Sequence, residues 1–160
     1  MRLLRALAVL LFLPVGAGLI VPQALMEPEN WNRGGNPFGL ALALAGLAGL
    51  GWSMREFYRI ARGTLEPWAA PRRLVTSGPF RLLRNPIYAA VLALVAGQAW
   101  WRHSLAAALY AAVLAVLFHL RVALYEEPWL AGAFGREWRD YGARVGRWGP
   151  KALNFRTRPR

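Results

Sequence analysis

The chain has 160 residues with a formal net charge of +12, no cysteine and two histidines, and 56% of its residues are hydrophobic. The lack of cysteine excludes disulfide bonds, thiolate metal ligands and a cysteine nucleophile, and two histidines are too few for a histidine-rich metal site, so we expect no metal. The basic residues stand between and after long apolar segments, which is typical of a membrane protein that binds no nucleic acid. We therefore predict an all-α integral membrane protein.

Four apolar segments predict four transmembrane helices, over residues of about 3–21, 38–58, 86–101 and 104–125. About 20 helical residues cross the hydrocarbon core, so the first and fourth segments suffice alone and the second suffices with its polar extension. Only Arg102 and His103 separate the third and fourth segments, which predicts a tight antiparallel hairpin whose outer ends return to the same side. Residues 1–160 then form a single membrane domain.

The first segment has a second interpretation. A basic start and the small residues around Gly16 and Gly18 are also compatible with a cleaved signal peptide. The length of the apolar stretch and the three spans that follow it favour a membrane span.

Basic residues also predict the orientation in the membrane. Arg33 in the first loop and Arg102 in the hairpin turn lie on one side, and the other 18 of the 20 basic residues lie on the opposite side. The positive-inside rule places both termini and the long connection over residues 55–84 in the cytoplasm.

A cytoplasmic segment over residues 126–160 follows the fourth span. Its apolar residues recur at helical spacing and predict an amphipathic helix at the membrane surface or against the bundle. These residues are Leu130, Phe134, Trp138, Tyr141 and Val145. Several glycines, Gly135 among them, weaken its helicity and are expected to divide it into shorter pieces. Beyond it, the basic tail over residues 151–160 predicts attraction to anionic membrane lipids.

The residues before the third span predict the start of a helix. Asn85 is expected to cap free amide groups and Pro86 fits the first turn, while Gly78 and Pro79 predict a turn further upstream. A positive helix end beside Arg84 is also suited to holding a carboxylate or a phosphate.

Two neighbouring acids, Glu126 and Glu127, close the fourth span on the same membrane face. Acids at a helix C-terminus oppose the helix dipole and repel one another, so they need a compensating interaction. Either they form salt bridges with Arg84 or Arg121, or one of them accepts hydrogen bonds from the hydroxyls of a ligand. His119 lies about two turns earlier and should project deeper from the same face, as a functional group or as a neutral histidine hydrogen-bonded between helices.

Five short segments, in this order, resemble the isoprenylcysteine carboxyl methyltransferase and phospholipid methyltransferase superfamily. They are residues 76–80, 84–88, 126–130, 134–141 and 145–150, with the apolar hairpin between the second and third, and the resemblance covers residues of about 74–150. It implies a membrane-embedded enzyme, in a bacterial inner membrane, that takes S-adenosylmethionine from the cytoplasm. The methyl acceptor would be lipid-like or a small hydrophobic molecule bearing a carboxylate, an amine or a thiol, drawn from among the membrane lipids.

The resemblance also implies which residues bind the cofactor. They are Leu74, Val75, Phe80, Arg84, Asn85, Pro86, Ile87, Tyr88, Glu126 and Glu127. Asn85 stands where the family usually has histidine, and asparagine cannot transfer a proton. Arg121, near the family's arginine for the substrate carboxylate, and His119 are the catalytic candidates. Two alternatives remain, an NADPH-dependent membrane reductase of the sterol and steroid reductase type, which has a similar motif and hairpin, and a non-catalytic membrane scaffold.

Overall fold

A computed structural model describes residues 16–26, 34–61 and 73–151, and within these ranges the chain is helical and has no strand. Residues 3–15 of the predicted first span, Arg33 of the first loop and residues 152–160 of the basic tail lie outside the described residues.

Five helices and two short helical segments make up the described chain. Helix α1 is Gly16–Leu25, with a π-helical first half over Gly16–Ile20. The other elements are α2 Pro37–Ala61, a 3-10 turn Gly78–Arg81, α3 Pro86–Trp101, α4 Leu105–Arg121, a π-helical turn Val122–Glu126 and α5 Glu127–Arg144. The helix predicted over residues 86–101 covers those same residues, and the helix predicted over 38–58 is longer by one residue at its start and three at its end.

Side-chain caps explain where two of these helices begin. The Asn36 side-chain oxygen accepts from the backbone N–H of Phe38 at 2.9 Å. The Ser104 hydroxyl oxygen accepts from the backbone N–H of Ala107 at 3.2 Å, directly after the short turn that follows α3. Each cap satisfies an amide that has no partner within its own helix, so a break in the helical run is stabilised at both positions.

Helices α2 and α3 pack against each other more extensively than any other pair. A Cβ atom at Gly46 would lie 2.4 Å from the backbone nitrogen of Leu94, and one at Gly97 would lie 2.3 Å from that of Ala43. The two backbones therefore touch, and only glycine fits at these positions. Small residues that let backbones approach are typical of helix pairs in membranes, where dispersion forces drive the packing.

The buried core lies where α2, α3 and α4 meet. Its fully buried members are Leu50, Ala90, Val91, Val95 and Leu114. The polar side chain of Gln98 in α3 is also buried. It donates to the Gly18 carbonyl at 2.6 Å and accepts from the Gln23 amide at 2.7 Å, and these bonds join α1 to α3. Because a buried amide must be hydrogen-bonded, this pair fixes the position of α1 along α3.

Among the described residues, two helical runs are long and apolar enough to cross a membrane, Pro37–Ile60 and Leu105–Arg144. Helices α1 and α3 are apolar but shorter. One face of α4 exposes large apolar side chains along its whole length, namely those of Leu105, Leu109, Val113, Val116, Leu117 and Leu120. A continuous apolar face of this kind is typical of a surface in contact with lipid. The arrangement of four spans stays a prediction.

The end predicted for the fourth helix, near Tyr125, is wrong. The helical run continues through the π-helical turn, in which the backbone N–H of Glu127 bonds to the Val122 carbonyl, and into α5. Pro128 has no N–H to donate. The local change to π-helical hydrogen bonding lets the helical run continue through this proline. The two glutamates therefore do not stand at a helix C-terminus, and the dipole argument made for them does not apply. Within α5 the helix is kinked at Gly135, with φ of 51°, which confirms the predicted division by glycine.

Candidate functional site

Six polar side chains meet where the start of α3, the π-helical turn and the residues after α5 converge. We call them the charged cluster. It consists of Arg84, Tyr88, Arg121, Glu126, Glu127 and Arg147. They come from parts of the chain up to 63 residues apart, from Arg84 to Arg147, and their contacts divide into two groups, one around each glutamate.

Two arginines hold Glu127. The Nε and Nη2 atoms of Arg147 donate to the two carboxylate oxygens at 2.9 and 2.6 Å, and Nη2 of Arg84 lies 3.2 Å from the first oxygen. The side chains of Glu127 and Arg84 are each 14% exposed. Burial alone would raise the pKa of Glu127, but the hydrogen bonds from Arg147 and the charges of both arginines outweigh it, so that this pKa lies below its usual value. Glu127 is therefore ionised at neutral pH.

Glu126 is bound from the other side. The Tyr88 hydroxyl donates to one carboxylate oxygen of Glu126. Arg121 Nε donates to the same oxygen at 2.8 Å and to the Tyr88 hydroxyl at 3.1 Å. The Tyr88 ring also packs on Phe118, with ring centroids 4.6 Å apart. Tyr88 therefore makes both a packing contact and polar contacts.

Arg84 is fixed on several sides and still has one unused donor. Its guanidinium lies over the Trp138 ring, 5.4 Å from the centroid, and its backbone N–H donates to the Gly146 carbonyl at 2.9 Å. Its Nε atom is buried and has no hydrogen-bond partner among the described residues. A buried donor without an acceptor is costly, which makes this nitrogen a place where an added anionic group would be stabilised.

The cap predicted for Asn85 is wrong. Asn85 occupies the position before α3, but its side chain makes no capping hydrogen bond. Its amide nitrogen donates instead to the Arg147 carbonyl at 3.3 Å. The Asn85 side chain therefore holds the residues after α5. This tertiary hydrogen bond replaces the helix cap that the local sequence predicts.

His119 bonds to the segment after α5, and among the described residues no hydrogen bond joins it to Glu126. The Trp148 indole N–H donates to His119 Nδ1 at 3.1 Å, and the histidine side chain is exposed. The spacing argument for His119 and Glu126 assumed an unbroken α-helix, and the π-helical turn between them changes the helical register. Among the described residues His119 is bonded to the C-terminal segment and not to another membrane helix.

The remaining predicted cofactor residues surround the cluster rather than join it. Leu74 is buried against Trp138 and Tyr141 of α5, and Val75 is buried beside it. Phe80 is buried, and its carbonyl accepts from the Tyr141 hydroxyl at 2.7 Å. Burial raises the pKa of Tyr141 to about 12, so this donor stays protonated. The predicted amphipathic face of α5 therefore packs on Leu74 and bonds to the Phe80 carbonyl, both in the segment before α3.

Two further predicted residues belong to the start of α3. Pro86 is buried at its first position, as expected for proline. Ile87 packs against the apolar core formed by α2, α3 and α4. Its side chain contributes to holding the helix and makes no polar contribution to the cluster.

Sequence reasoning missed three residues. Glu56, buried in α2, accepts from Arg59 at 2.7 and 3.1 Å and from the Ser77 hydroxyl. Glu56 thereby links α2 to Ser77, directly before the 3-10 turn. Gly78, the first residue of the 3-10 turn, has φ of 57°. An acid near the end of an apolar helix was the available signal. Arg147 and Trp148 were also missed, although both lie in the last of the five recognised segments.

The match to a family decides what this site belongs to. The model of the family described as phospholipid methyltransferase matches residues 36–137. The chain belongs to this family. Phospholipid methyltransferases are part of the superfamily that the five segments resemble, so that resemblance is confirmed. The matched region contains every residue of the charged cluster except Arg147. Comparison with curated proteins and with solved structures finds no match.

Proposed function

We propose that this phospholipid methyltransferase family protein transfers a methyl group from S-adenosylmethionine to a lipid-like or small hydrophobic acceptor at the cytoplasmic face of the membrane. The family implies a membrane methyltransferase activity. The observation that supports this cofactor is the meeting of Arg84, which precedes α3, and Glu127, which follows α4, at one buried point.

The residues present suit this cofactor. S-adenosylmethionine carries a carboxylate, which the unpartnered Nε of Arg84 is suited to bind, and ribose hydroxyls, for which Glu126 or Glu127 would be acceptors. When bound, the cofactor would supply a methyl group: the acceptor atom would bond to the methyl carbon in line as the bond from that carbon to the sulfonium sulfur breaks, and S-adenosylhomocysteine would leave as the thioether. The work of the protein is then to position the acceptor and to exclude water.

The acceptor determines whether a base is needed. A carboxylate acceptor can be methylated as it stands, whereas an amine or a thiol must first lose a proton. His119 is the candidate base, and its Nδ1 accepts a hydrogen bond from the Trp148 indole N–H. Arg121, whose side chain is 59% exposed, is the candidate for holding an acceptor's anionic group.

The proposed setting is a bacterial inner membrane crossed four times, with α3 and α4 as a hairpin and both termini in the cytoplasm. The exposed apolar face of α4 supports this arrangement, because it suits contact with lipid chains. The charged cluster then lies at the cytoplasmic ends of α3 and α4. The acceptor would enter laterally from the bilayer.

Calorimetric titration of the purified full chain with S-adenosylmethionine tests the cofactor. We expect Arg84→Ala and Glu126→Gln to weaken binding by about tenfold or more, since each removes a charged hydrogen-bonding group. Arg136→Ala is the matched control, because Arg136 is 89% exposed and pairs only weakly with Asp140 at 3.7 Å. Equal affinity in all four proteins would contradict the assignment. Each variant must first show the helical circular dichroism of the wild type.

The same titration with NADPH separates the alternatives. Binding of NADPH without S-adenosylmethionine would favour a reductase, and binding of neither would favour a scaffold.

The acceptor is then sought by incubating the protein with methyl-labelled S-adenosylmethionine and a total lipid extract. A labelled lipid that is absent with Arg84→Ala and present with Arg136→Ala would identify it.

A further inference from the structure

Residues 145–148, which follow α5, run across the charged cluster, and we call them the strap. The backbone N–H of Arg84 donates to the Gly146 carbonyl at 2.9 Å, and the Asn85 side chain donates to the Arg147 carbonyl at 3.3 Å. The strap begins at Val145, which is buried against α5. It therefore covers the start of α3, and it lies outside the matched family region, which ends at residue 137.

Within the strap, Arg147 covers Glu127, one of the two carboxylates that the proposed function offers to the ribose hydroxyls. Its guanidinium donates to both carboxylate oxygens of Glu127, and Arg84 forms an ion pair with one of these oxygens. Because the Glu127 side chain is only 14% exposed, a ligand hydroxyl reaches it only if Arg147 moves away. The Trp148 contact with His119 similarly covers the predicted base.

The contacts that hold the strap in place can be replaced by contacts with a ligand. Arg147 is 30% exposed at the edge of the cluster, and the strap is not part of a helix, so it can leave without unfolding one. A ligand that supplies hydroxyl donors to Glu127 and an anion to Arg84 would replace the contacts that the strap loses.

We propose that the strap is a displaceable cover of the cofactor site, in which Arg147 holds Glu127 until S-adenosylmethionine takes its place. This proposal rests on the proposed function. It makes Arg147 a competitor of the cofactor and not one of its ligands. The two roles predict opposite effects of removing the side chain.

The first test is the affinity of Arg147→Gln for S-adenosylmethionine by calorimetry. If a closed strap must open before binding, weakening it raises the population of the open form, and we expect binding about tenfold tighter than in the wild type. Trp148→Phe keeps an aromatic ring and loses only the N–H donated to His119, so a smaller gain is expected. Arg144→Gln is the control, since Arg144 is exposed and, within the part of the chain that the structure describes, bonds only to the Asp140 carbonyl of its own helix.

Unchanged or weaker binding by both strap variants, with normal binding by the wild type and the control, would overturn the strap proposal and leave the proposed function standing. Absence of binding by the wild type and the control would overturn both.

The second test uses the unaltered protein. Release of the strap should make the peptide bond after Arg147 accessible to trypsin, and mass spectrometry identifies that cleavage. We expect S-adenosylmethionine to accelerate cleavage after Arg147 and to leave cleavage after Arg136 unchanged. Protection after Arg147 by the cofactor would show a strap that closes on it and would overturn the proposal.

Discussion

The contact between α2 and α3 and the charged cluster hold the protein together by different means. In the first, Gly46 and Gly97 let two backbones touch, and the attraction is the sum of many short-range contacts. In the second, a few charge-assisted hydrogen bonds join residues of distant segments, and Glu127 alone has two arginine partners. The stability of the helix contact depends on the shape of the two helices, and that of the charged cluster depends on hydrogen-bond direction and charge.

This difference determines what a substitution does in each region. A larger side chain between α2 and α3 cannot be accommodated by any change in hydrogen bonding, so it should lower the free energy of unfolding. In the cluster, a change of charge leaves the apolar core intact and should act chiefly on the local polar network and on ligand binding. The four predictions that follow test this division.

The largest effect is expected from Gly46→Leu. Its first side-chain atom would lie 2.4 Å from the Leu94 backbone nitrogen, so α2 and α3 must move apart, at about 3 kcal/mol or more of folding free energy. Gly51→Leu is the matched control on the same helix, because no atom of the described residues lies within 4 Å of a Cβ atom there. Thermal unfolding in detergent, followed by circular dichroism, should show a large decrease in midpoint for the first and none for the second. Equal midpoints would show that the backbones are not in contact.

The next effect is expected from Glu127→Ala, which leaves Arg84 and Arg147 without their counter-charge in a mostly buried site. We expect a loss of about 2 kcal/mol, because an unpaired buried charge is costly. Asp140→Asn removes an exposed partner of Arg136 and should change stability by less than about 0.5 kcal/mol. The same unfolding measurement checks both. A negligible effect of Glu127→Ala would mean that water replaces this carboxylate freely.

A smaller effect is expected from Glu56→Ala, which releases the turn at Ser77 from α2. Because this turn leads into the segment carrying Phe80 and Arg84, the affinity for S-adenosylmethionine should decrease by up to about tenfold through misplacement of the site. Glu56→Gln keeps an oxygen acceptor for the Ser77 hydroxyl and should recover most of the affinity. Failure of this recovery would show that the charge beside Arg59 matters more than the hydrogen bond.

The smallest effect is a dependence of stability on acid. Since the pKa of Glu127 lies below its usual value, its ion pairs stabilise the folded state above the unfolded carboxyl pKa of about 4.3. This stabilisation is lost as the pH falls through the lower, folded-state pKa. The difference in unfolding midpoint between wild type and Glu127→Gln should therefore shrink below pH of about 4. A constant difference down to the lowest pH reached would contradict a lowered pKa.

Much of the fold could be predicted from the sequence. The helix over residues 86–101 and most of α2 follow from apolar runs bounded by breaks, and the kink in α5 follows from Gly135. The end of the fourth helix could not be predicted in this way. Glu126, Glu127 and Pro128 indicate an interruption, and the π-helical turn absorbs it because the following residues still gain by packing on residues 74–80.

The candidate site was predictable in its members more than in its contacts. The sequence indicated both glutamates, Arg84 and Tyr88, and it offered salt bridges to Arg84 or Arg121 as one possibility. Those salt bridges are present, but the bidentate partner of Glu127 is Arg147, twenty residues further along the chain. Asn85 likewise bonds to the strap and not to its own helix. No periodicity relates these residues, so no local pattern could pair them.

The sequence by itself determined that the chain is built from apolar helices and that it belongs among membrane methyltransferases, because helical hydrogen bonds, hydropathy and short motifs are local properties. The tertiary structure alone decided which arginine meets which glutamate and what covers them. Those pairings depend on the direction of single hydrogen bonds between segments brought together by packing, and on a π-helical turn that resets the register between His119 and Glu126.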